Sequence, residues 1–185
     1  MTMKKLIPAT DYDAVSKIFH WLTVGLMAAQ FVIAWTMPEI HRGVTPDTLI
    51  NLHLSVGVAI LLLSVARLIW RLSHPVPPLE DGGPAWQHRA AHATNGLIYL
   101  LLLTLPLMGW ANASARGWTI DLFGMIRLPQ ILPTRSALGM AMGDIHSFSS
   151  YVLLALIGVH AMAALYHHVM LKDRTLLRML PRRAR

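Results

Sequence analysis

The chain contains no cysteine among its 185 residues. Disulfide bonds, iron–sulfur clusters and the C-x-x-C-H attachment of a c-type haem are therefore excluded. Any redox cofactor of this protein has to be held by nitrogen or thioether ligands, without a covalent link to the chain.

Charged side chains are also scarce. Asp, Glu, Lys and Arg make up 14% of the chain, against about 25% in soluble domains, while 55% of the residues are apolar. A chain with so few charges cannot cover its surface with solvated side chains, so we expect lipid to be its solvent. The alternative, a soluble protein with four long buried helices, would leave too little polar surface.

Four runs without any Asp, Glu, Lys or Arg account for most of the apolar character. Their lengths are close to the roughly 20 residues that cross a hydrocarbon core about 30 Å thick. The first run is too long for the apolar part of a signal peptide, and no small-residue cleavage site follows it, so we expect it to stay in the protein. The runs are Ile18–Met37, Thr48–Ala66, Ala90–Ala115 and Ile145–Leu171.

These runs predict an all-α membrane protein with a single domain, a four-transmembrane-helix up-down bundle. Cofactor sites in such bundles form from side chains on facing helices. The longest connection, Asn112–Asp144, mixes apolar and arginine side chains, so part of it is expected to lie on the membrane surface. We place the spans at about 16–37, 48–71, 88–112 and 145–171.

Positive charge is distributed unevenly between the two sides of the predicted bundle. Twelve of the 16 lysines and arginines fall on the side of the two termini, so the positive-inside rule predicts that the N- and C-termini are cytoplasmic. The net charge of +7 then reflects topology and contact with anionic membrane lipid, not nucleic-acid binding. The outer side carries Arg42, Arg116, Arg127 and Arg135.

Several of the ten histidines fall inside the apolar runs. An ionisable group at membrane depth is costly and therefore marks a candidate functional site, although a single histidine could simply be hydrogen-bonded to a neighbouring helix. His146 and His160 are separated by about 21 Å along the last span and lie within roughly 40° of one face. His20 is near the inner end of the first span, and His53 is near the outer end of the second.

Depth therefore sorts these four histidines into an inner pair, His20 with His160, and an outer pair, His53 with His146. Two imidazoles from facing helices at one depth are what a six-coordinate haem iron needs. Two stacked haems would form an electron path across the bilayer. A metal-transport site would need carboxylates or thiolates beside the histidines, and the spans contain none.

Most of the chain, from about residue 12 to residue 181, resembles the bacterial cytochrome b561 family of dihaem inner-membrane proteins. The segments that carry the resemblance are KIFHWLTVGL, NLHLSVGVAILLLSVARLIWRL, HATNGLIYLLLLTLPLMGW and GDIHSFSSYVLLALIGVHAMAALYHHVMLKDRTLLRMLP. The resemblance implies two non-covalent haems b. The histidines that match the family's axial ligands are His20, His53, His146 and His160.

The best-understood activity in that family is superoxide oxidase, which takes one electron from periplasmic superoxide and passes it to ubiquinone. On this hypothesis, Arg116, Arg127 and Arg135 could attract the small anion to the outer side. The alternative is that these arginines are only solvated or face lipid headgroups, because acidic residues balance the outer charge.

Reduction of a quinone requires protons, so titratable groups are expected near the inner haem. Arg67 and Arg71 could instead contact haem propionates, or anchor the second span by reaching to the interface. The candidate quinone or propionate contacts are Lys17, Arg67, Arg71, His92 and His167.

Two other functions remain open at this point. The protein could relay electrons between the quinone pool and a periplasmic redox partner, in which case the outer loops would be a docking surface. It could also be a haem-binding membrane anchor subunit of a larger complex. Fold alone does not distinguish these functions from superoxide oxidation.

Overall fold

The computed structural model describes residues 11–41, 43–78 and 84–181. Each of its four long helices is long and apolar enough to cross a membrane, which confirms the predicted fold class. A two-stranded antiparallel hairpin joins the third helix to the fourth, and a π-helical turn, His167–Leu171, follows the fourth. The elements are α1 (Ala14–Thr36), α2 (Thr48–Ser73), α3 (Ala85–Ala115), β1 (Ile120–Leu122), β2 (Ile126–Leu128) and α4 (Ala137–Tyr166).

Short polar side chains determine where three of the helices begin. Asp13 accepts a hydrogen bond from the first turn of α1 at 2.9 Å, and Asp47 does the same for α2 at 2.8 Å. Ser136 caps α4, whereas α3 follows Pro84, which is compatible with a helix start. These caps satisfy backbone N–H groups that have no partner within the helix.

Successive helices run in opposite directions. At one end of the bundle, the indole of Trp70 at the end of α2 donates to the carboxylate of Asp13 at the start of α1. Trp21 donates to the backbone carbonyl of Met179, also at this end, which we call the termini face. The hairpin lies at the opposite end, which we call the hairpin face.

Helix packing is uneven around the bundle. Helix α2 packs against both α1 and α3, and α4 packs closely against α3. Within the described part of the chain, no comparable backbone packing joins α4 to α1 or to α2. Many apolar side chains on all four helices are exposed, as expected for surfaces that contact lipid.

The connection between the third and fourth helices differs from the expected long loop, 112–144. Helix α3 continues to Ala115, and α4 begins at Ala137, well before the predicted span. Between them lies the hairpin, which the sequence pattern did not predict. A turn with positive φ at Phe123 and Gly124 reverses the chain there, and strands of only three residues show little alternation.

Candidate functional site

At the hairpin face, the rings of His53 on α2 and His146 on α4 approach each other. Their centroids are 6.1 Å apart, with an angle of 75° between the ring planes. Nδ1 of His146 donates to the backbone carbonyl of Leu105 at 2.9 Å, since a carbonyl can only accept. A neutral imidazole carries one N–H, so this bond leaves Nε2 of His146 with a free lone pair, as a metal ligand requires.

Gln30 on α1 connects this pair to the first helix. Its amide nitrogen donates to the backbone carbonyl of His53 at 3.1 Å and lies 3.3 Å from Nε2 of the same residue. Gln30 Oε1 and His53 Nδ1 are both buried, and neither has a hydrogen-bond partner within the described residues. Buried polar atoms are rarely left unpaired, so these two atoms are available to form hydrogen bonds with a further group at this site.

A cavity of about 220 Å³ surrounds the hairpin-face pair. Gln30, His53 and His146 line it together with mostly apolar side chains. Gly109 lies against the ring of His146, where an added Cβ would be 3.3 Å from Cε1. The missing side chain at this position gives the imidazole room to reach the Leu105 carbonyl.

At the termini face, His20 on α1 faces His160 on α4. Their ring centroids are 6.3 Å apart, with an angle of 57° between the planes. A guanidinium nitrogen of Arg67 on α2 lies 3.2 Å from Nδ1 of His20. The guanidinium groups of Arg67 and Arg71 lie 5.3 and 5.9 Å from the ring of Tyr99, within the range of cation–π contacts.

Lys17 is buried beside this second pair. Only 9% of its surface is exposed, and it lies one helical turn before His20. A buried ammonium group is costly unless an anion compensates it. Lys17 and Arg67 place two positive charges near His20, and a carboxylate bound there would compensate them.

The spacing in both pairs fits a metal ion held between two imidazoles. Two metal–nitrogen bonds of about 2 Å, plus roughly 1 Å from each nitrogen to its ring centre, give a centroid separation of about 6 Å. No cluster of three or more His, Cys, Asp or Glu side chains that could hold a metal occurs within 11–41, 43–78 and 84–181. A haem supplies the remaining ligands from its own ring, so two facing histidines are enough.

The other candidates on the termini side are not all near the His20 pair. His167 lies in the π-helical turn, and its Nδ1 contacts the carboxylate of Asp173. Lys172, with a φ of 56°, reverses the chain so that Asp173 can reach back. His92 is exposed on α3, and no ring contact or hydrogen bond joins it to His20 or His160 in the described structure.

The candidate arginines of the hairpin face have separate partners. Arg116 donates to the side chain of Asn112 at 2.9 Å and to the backbone carbonyl of His41 at 3.3 Å. Arg127 forms an ion pair with Asp121 at 3.0 Å, and this hydrogen bond raises the pKa of Arg127. Arg135 is exposed just before α4.

The sequence pattern did not reveal three side chains that contribute to these sites: Gln30, Tyr99 and Asp173. Gln30 could have been recognised, because its amide is one of the few polar groups in the first apolar run. Tyr99 and Asp173 could not, because their roles depend on contacts between separate elements or across the π-helical turn.

Comparison with known proteins identifies the family of this chain. Residues 11–182 match the family model described as prokaryotic cytochrome b561. The "Probable superoxide oxidase CybB" of Yersinia pestis is 34% identical over 176 residues, covering 93% of this chain and 97% of the relative. "Cytochrome b561 homolog 1" of Escherichia coli (strain K12) is 32% identical, covering 89% of this chain and 93% of the relative.

A third relative, "Cytochrome b562" of Cereibacter sphaeroides, is 30% identical, covering 91% of this chain and 94% of that protein. The range that the family model matches, residues 11–182, includes all four helices and both histidine pairs. The chain therefore belongs to the prokaryotic cytochrome b561 family, whose members are haem b proteins of membrane electron transfer.

Proposed function

We propose that the protein is a superoxide oxidase of the bacterial inner membrane, with two haems b, a periplasmic hairpin face and cytoplasmic termini. The observation that carries the proposed two-haem electron path is the presence of two facing histidine pairs, each with a ring separation of about 6 Å, on helices long and apolar enough to span the membrane. His53 and His146 hold the haem of the hairpin face, and His20 and His160 hold the haem of the termini face.

In the proposed reaction, two superoxide anions each lose one electron at the hairpin face and leave as dioxygen. Two protons and the two electrons convert one ubiquinone to ubiquinol at the termini face, so charge and atoms balance. Haem supplies the one-electron carriers at the two depths. The name of the Yersinia pestis relative supports superoxide as the donor.

The hairpin face needs no acid or base, since superoxide gives up only an electron. Its residues have to hold the two imidazoles, exclude competing ligands and admit a small anion. The Leu105 carbonyl fixes the tautomer of His146, and the Gln30 amide holds the backbone of His53. Arg116 and Arg135 add positive charge on this side, which raises the encounter rate with an anion.

The termini face has to deliver protons. Lys17 and Arg67 would hold the carboxylates of a haem bound by His20, and Arg71 would support Arg67 through their shared contact with Tyr99. His167 is the proposed proton donor to the quinone, with Asp173 orienting its ring. Burial alone would raise the pKa of Asp173, but hydrogen bonds from His167 and Thr175 outweigh burial and lower it, so the carboxylate stays ionised.

Mixing the oxidised, purified protein with superoxide in a stopped-flow instrument tests the proposed activity. We expect the haem absorbance to change to that of the reduced form faster than superoxide decays spontaneously, and added ubiquinone to be reduced with two superoxide consumed per quinol. Haem that stays oxidised under these conditions contradicts superoxide oxidation. Reduction by ubiquinol but not by superoxide would favour the electron relay to a periplasmic protein.

Replacing His167 with phenylalanine tests the proton donor separately. We expect quinone reduction to slow by roughly 10²-fold, the usual effect of losing a general acid, while reduction by superoxide keeps its rate. His168→Ala is the matched control, because His168 is the exposed neighbour in the same π-helical turn. An unchanged rate of quinone reduction in His167→Phe would remove His167 from the proposed quinone site.

A further inference from the structure

The tip of the β-hairpin carries exposed apolar side chains at the hairpin face. Phe123, Met125 and Ile126 are all exposed, Met125 with 78% of its surface. In a soluble loop, three adjacent exposed apolar side chains would be unfavourable, so they point to a partner with an apolar surface.

The base of the hairpin is fixed to the bundle. Ile120 packs with Ile50 of α2 and Ala113 of α3 in a small core. The hydroxyl of Ser55 on α2 accepts a hydrogen bond from the backbone nitrogen of Phe123 at 3.0 Å and contacts the carbonyl of Asp121 at 3.4 Å. These bonds attach the tip of the hairpin to the side of α2.

The position of Ser55 gives the depth of this attachment. Ser55 lies seven residues after the start of α2, roughly 10 Å along the helix axis toward the middle of the membrane. Leu62 and Ile69 follow at intervals of seven residues, within about 40° of the same face. Both are exposed, Leu62 with 60% of its surface, so this face of α2 is directed at lipid from Leu62 onward.

We propose that the hairpin tip is embedded in the outer edge of the bilayer. The hairpin covers Ser55, so lipid cannot contact α2 at that position. Phe123, Met125 and Ile126 contact lipid there in its place and so extend the lipid-facing stripe of α2. The apolar tip therefore contacts lipid at the boundary between acyl chains and headgroups, where neighbouring apolar and polar side chains can both be accommodated. The ion pair between Arg127 and Asp121, which face each other across the two strands, neutralises both charges near this boundary.

This contact has a consequence for the nearby histidine pair. Ser55 is two residues after His53, and Ile120 lines the same cavity as His53 and His146. By holding the tip, the bilayer holds Ile120 in place as one wall of that cavity. A small donor then has to reach the pair from the aqueous end of the bundle, not from the side of α2.

The absence of native cysteine makes the test direct. Single variants Met125→Cys, Leu62→Cys and Glu39→Cys receive a nitroxide label in nanodiscs of phosphatidylcholine and phosphatidylglycerol. Leu62 is the lipid control on α2, and Glu39 is the exposed, charged control in the loop between α1 and α2. Collisions of the label with dissolved oxygen and with a water-soluble nickel chelate are measured by electron paramagnetic resonance.

We expect the label at position 125 to behave like the label at position 62, with oxygen access several-fold above nickel access. Nickel access as high as at position 39 means that the tip is in water, and protection from both reagents means that another protein covers it. Either of these results overturns the proposal. Unchanged haem absorbance in each labelled variant verifies that the fold is retained.

Discussion

His146→Ala should reduce the haem content of the purified protein from about two per chain to about one. His53→Ala should give the same loss, because the ring centroids of the two imidazoles are 6.1 Å apart and both are proposed ligands of the same haem. The remaining haem, between His20 and His160, should keep its low-spin spectrum. Pyridine-haemochrome analysis against protein concentration gives the stoichiometry, and electron paramagnetic resonance identifies which low-spin signal is lost.

Double variants show whether the histidines act as two pairs. His53→Ala combined with His146→Ala should lose no more haem than either single change, since both remove ligands of one site. His146→Ala combined with His160→Ala should leave the protein nearly free of haem. His168→Ala, an exposed histidine outside both pairs, should retain all of it. A single variant that keeps two low-spin haems would show that the replaced histidine is not a ligand.

The histidine pairing could be predicted from the sequence because helix geometry fixes depth. A rise of 1.5 Å per residue converts the position of each histidine in its apolar run into a height in the membrane. The structure brings the same residues together, His20 with His160 and His53 with His146. In a membrane protein, few polar side chains compete for the interior, so the histidines were easy to identify.

The groups that orient those histidines could not be predicted in the same way. The Leu105 carbonyl is a backbone group that every residue has, and its bond to His146 depends on how α3 and α4 pack. Gly109 permits that approach, but a glycine in a membrane helix is equally consistent with ordinary helix packing. Contacts of this kind depend on the angle and distance between helices, which an apolar run does not encode.

The hairpin between α3 and α4 is a second feature that could not be predicted from the sequence. Its residues mix apolar and arginine side chains, which favoured a segment on the membrane surface. Within that segment the structure pairs Ile120 with Leu128 and Leu122 with Ile126, and the hairpin docks on the Ser55 hydroxyl and the core around Ile50. Tertiary contacts to α2 thus decide the local structure.

Gly139→Ala should destabilise the protein more than any other replacement of a glycine by alanine in its helices. A Cβ at Gly139 would lie 2.5 Å from the Cβ of Ala115 and 2.8 Å from the carbonyl oxygen of Ala111. Neither is the end of a flexible side chain, so α3 and α4 would have to separate. That movement would also disturb the bond from Asn112 to the Gly139 carbonyl, which is 3.0 Å long. Overpacking of this kind costs about 1 to 3 kcal/mol.

Thermal loss of the haem absorbance in nanodiscs measures the effect, compared at one heating rate because unfolding of membrane proteins is often irreversible. Gly96→Ala is the matched control: Gly96 lies in α3, and an added Cβ there meets nothing within 4 Å. The control should unfold at the same temperature as the unchanged protein or slightly higher, since alanine favours the helix. Because α4 carries one histidine of each pair, separation of α3 and α4 should release haem as the helices part. Equal midpoints for Gly139→Ala and Gly96→Ala would mean that the close contact between α3 and α4 does not hold α4 in place.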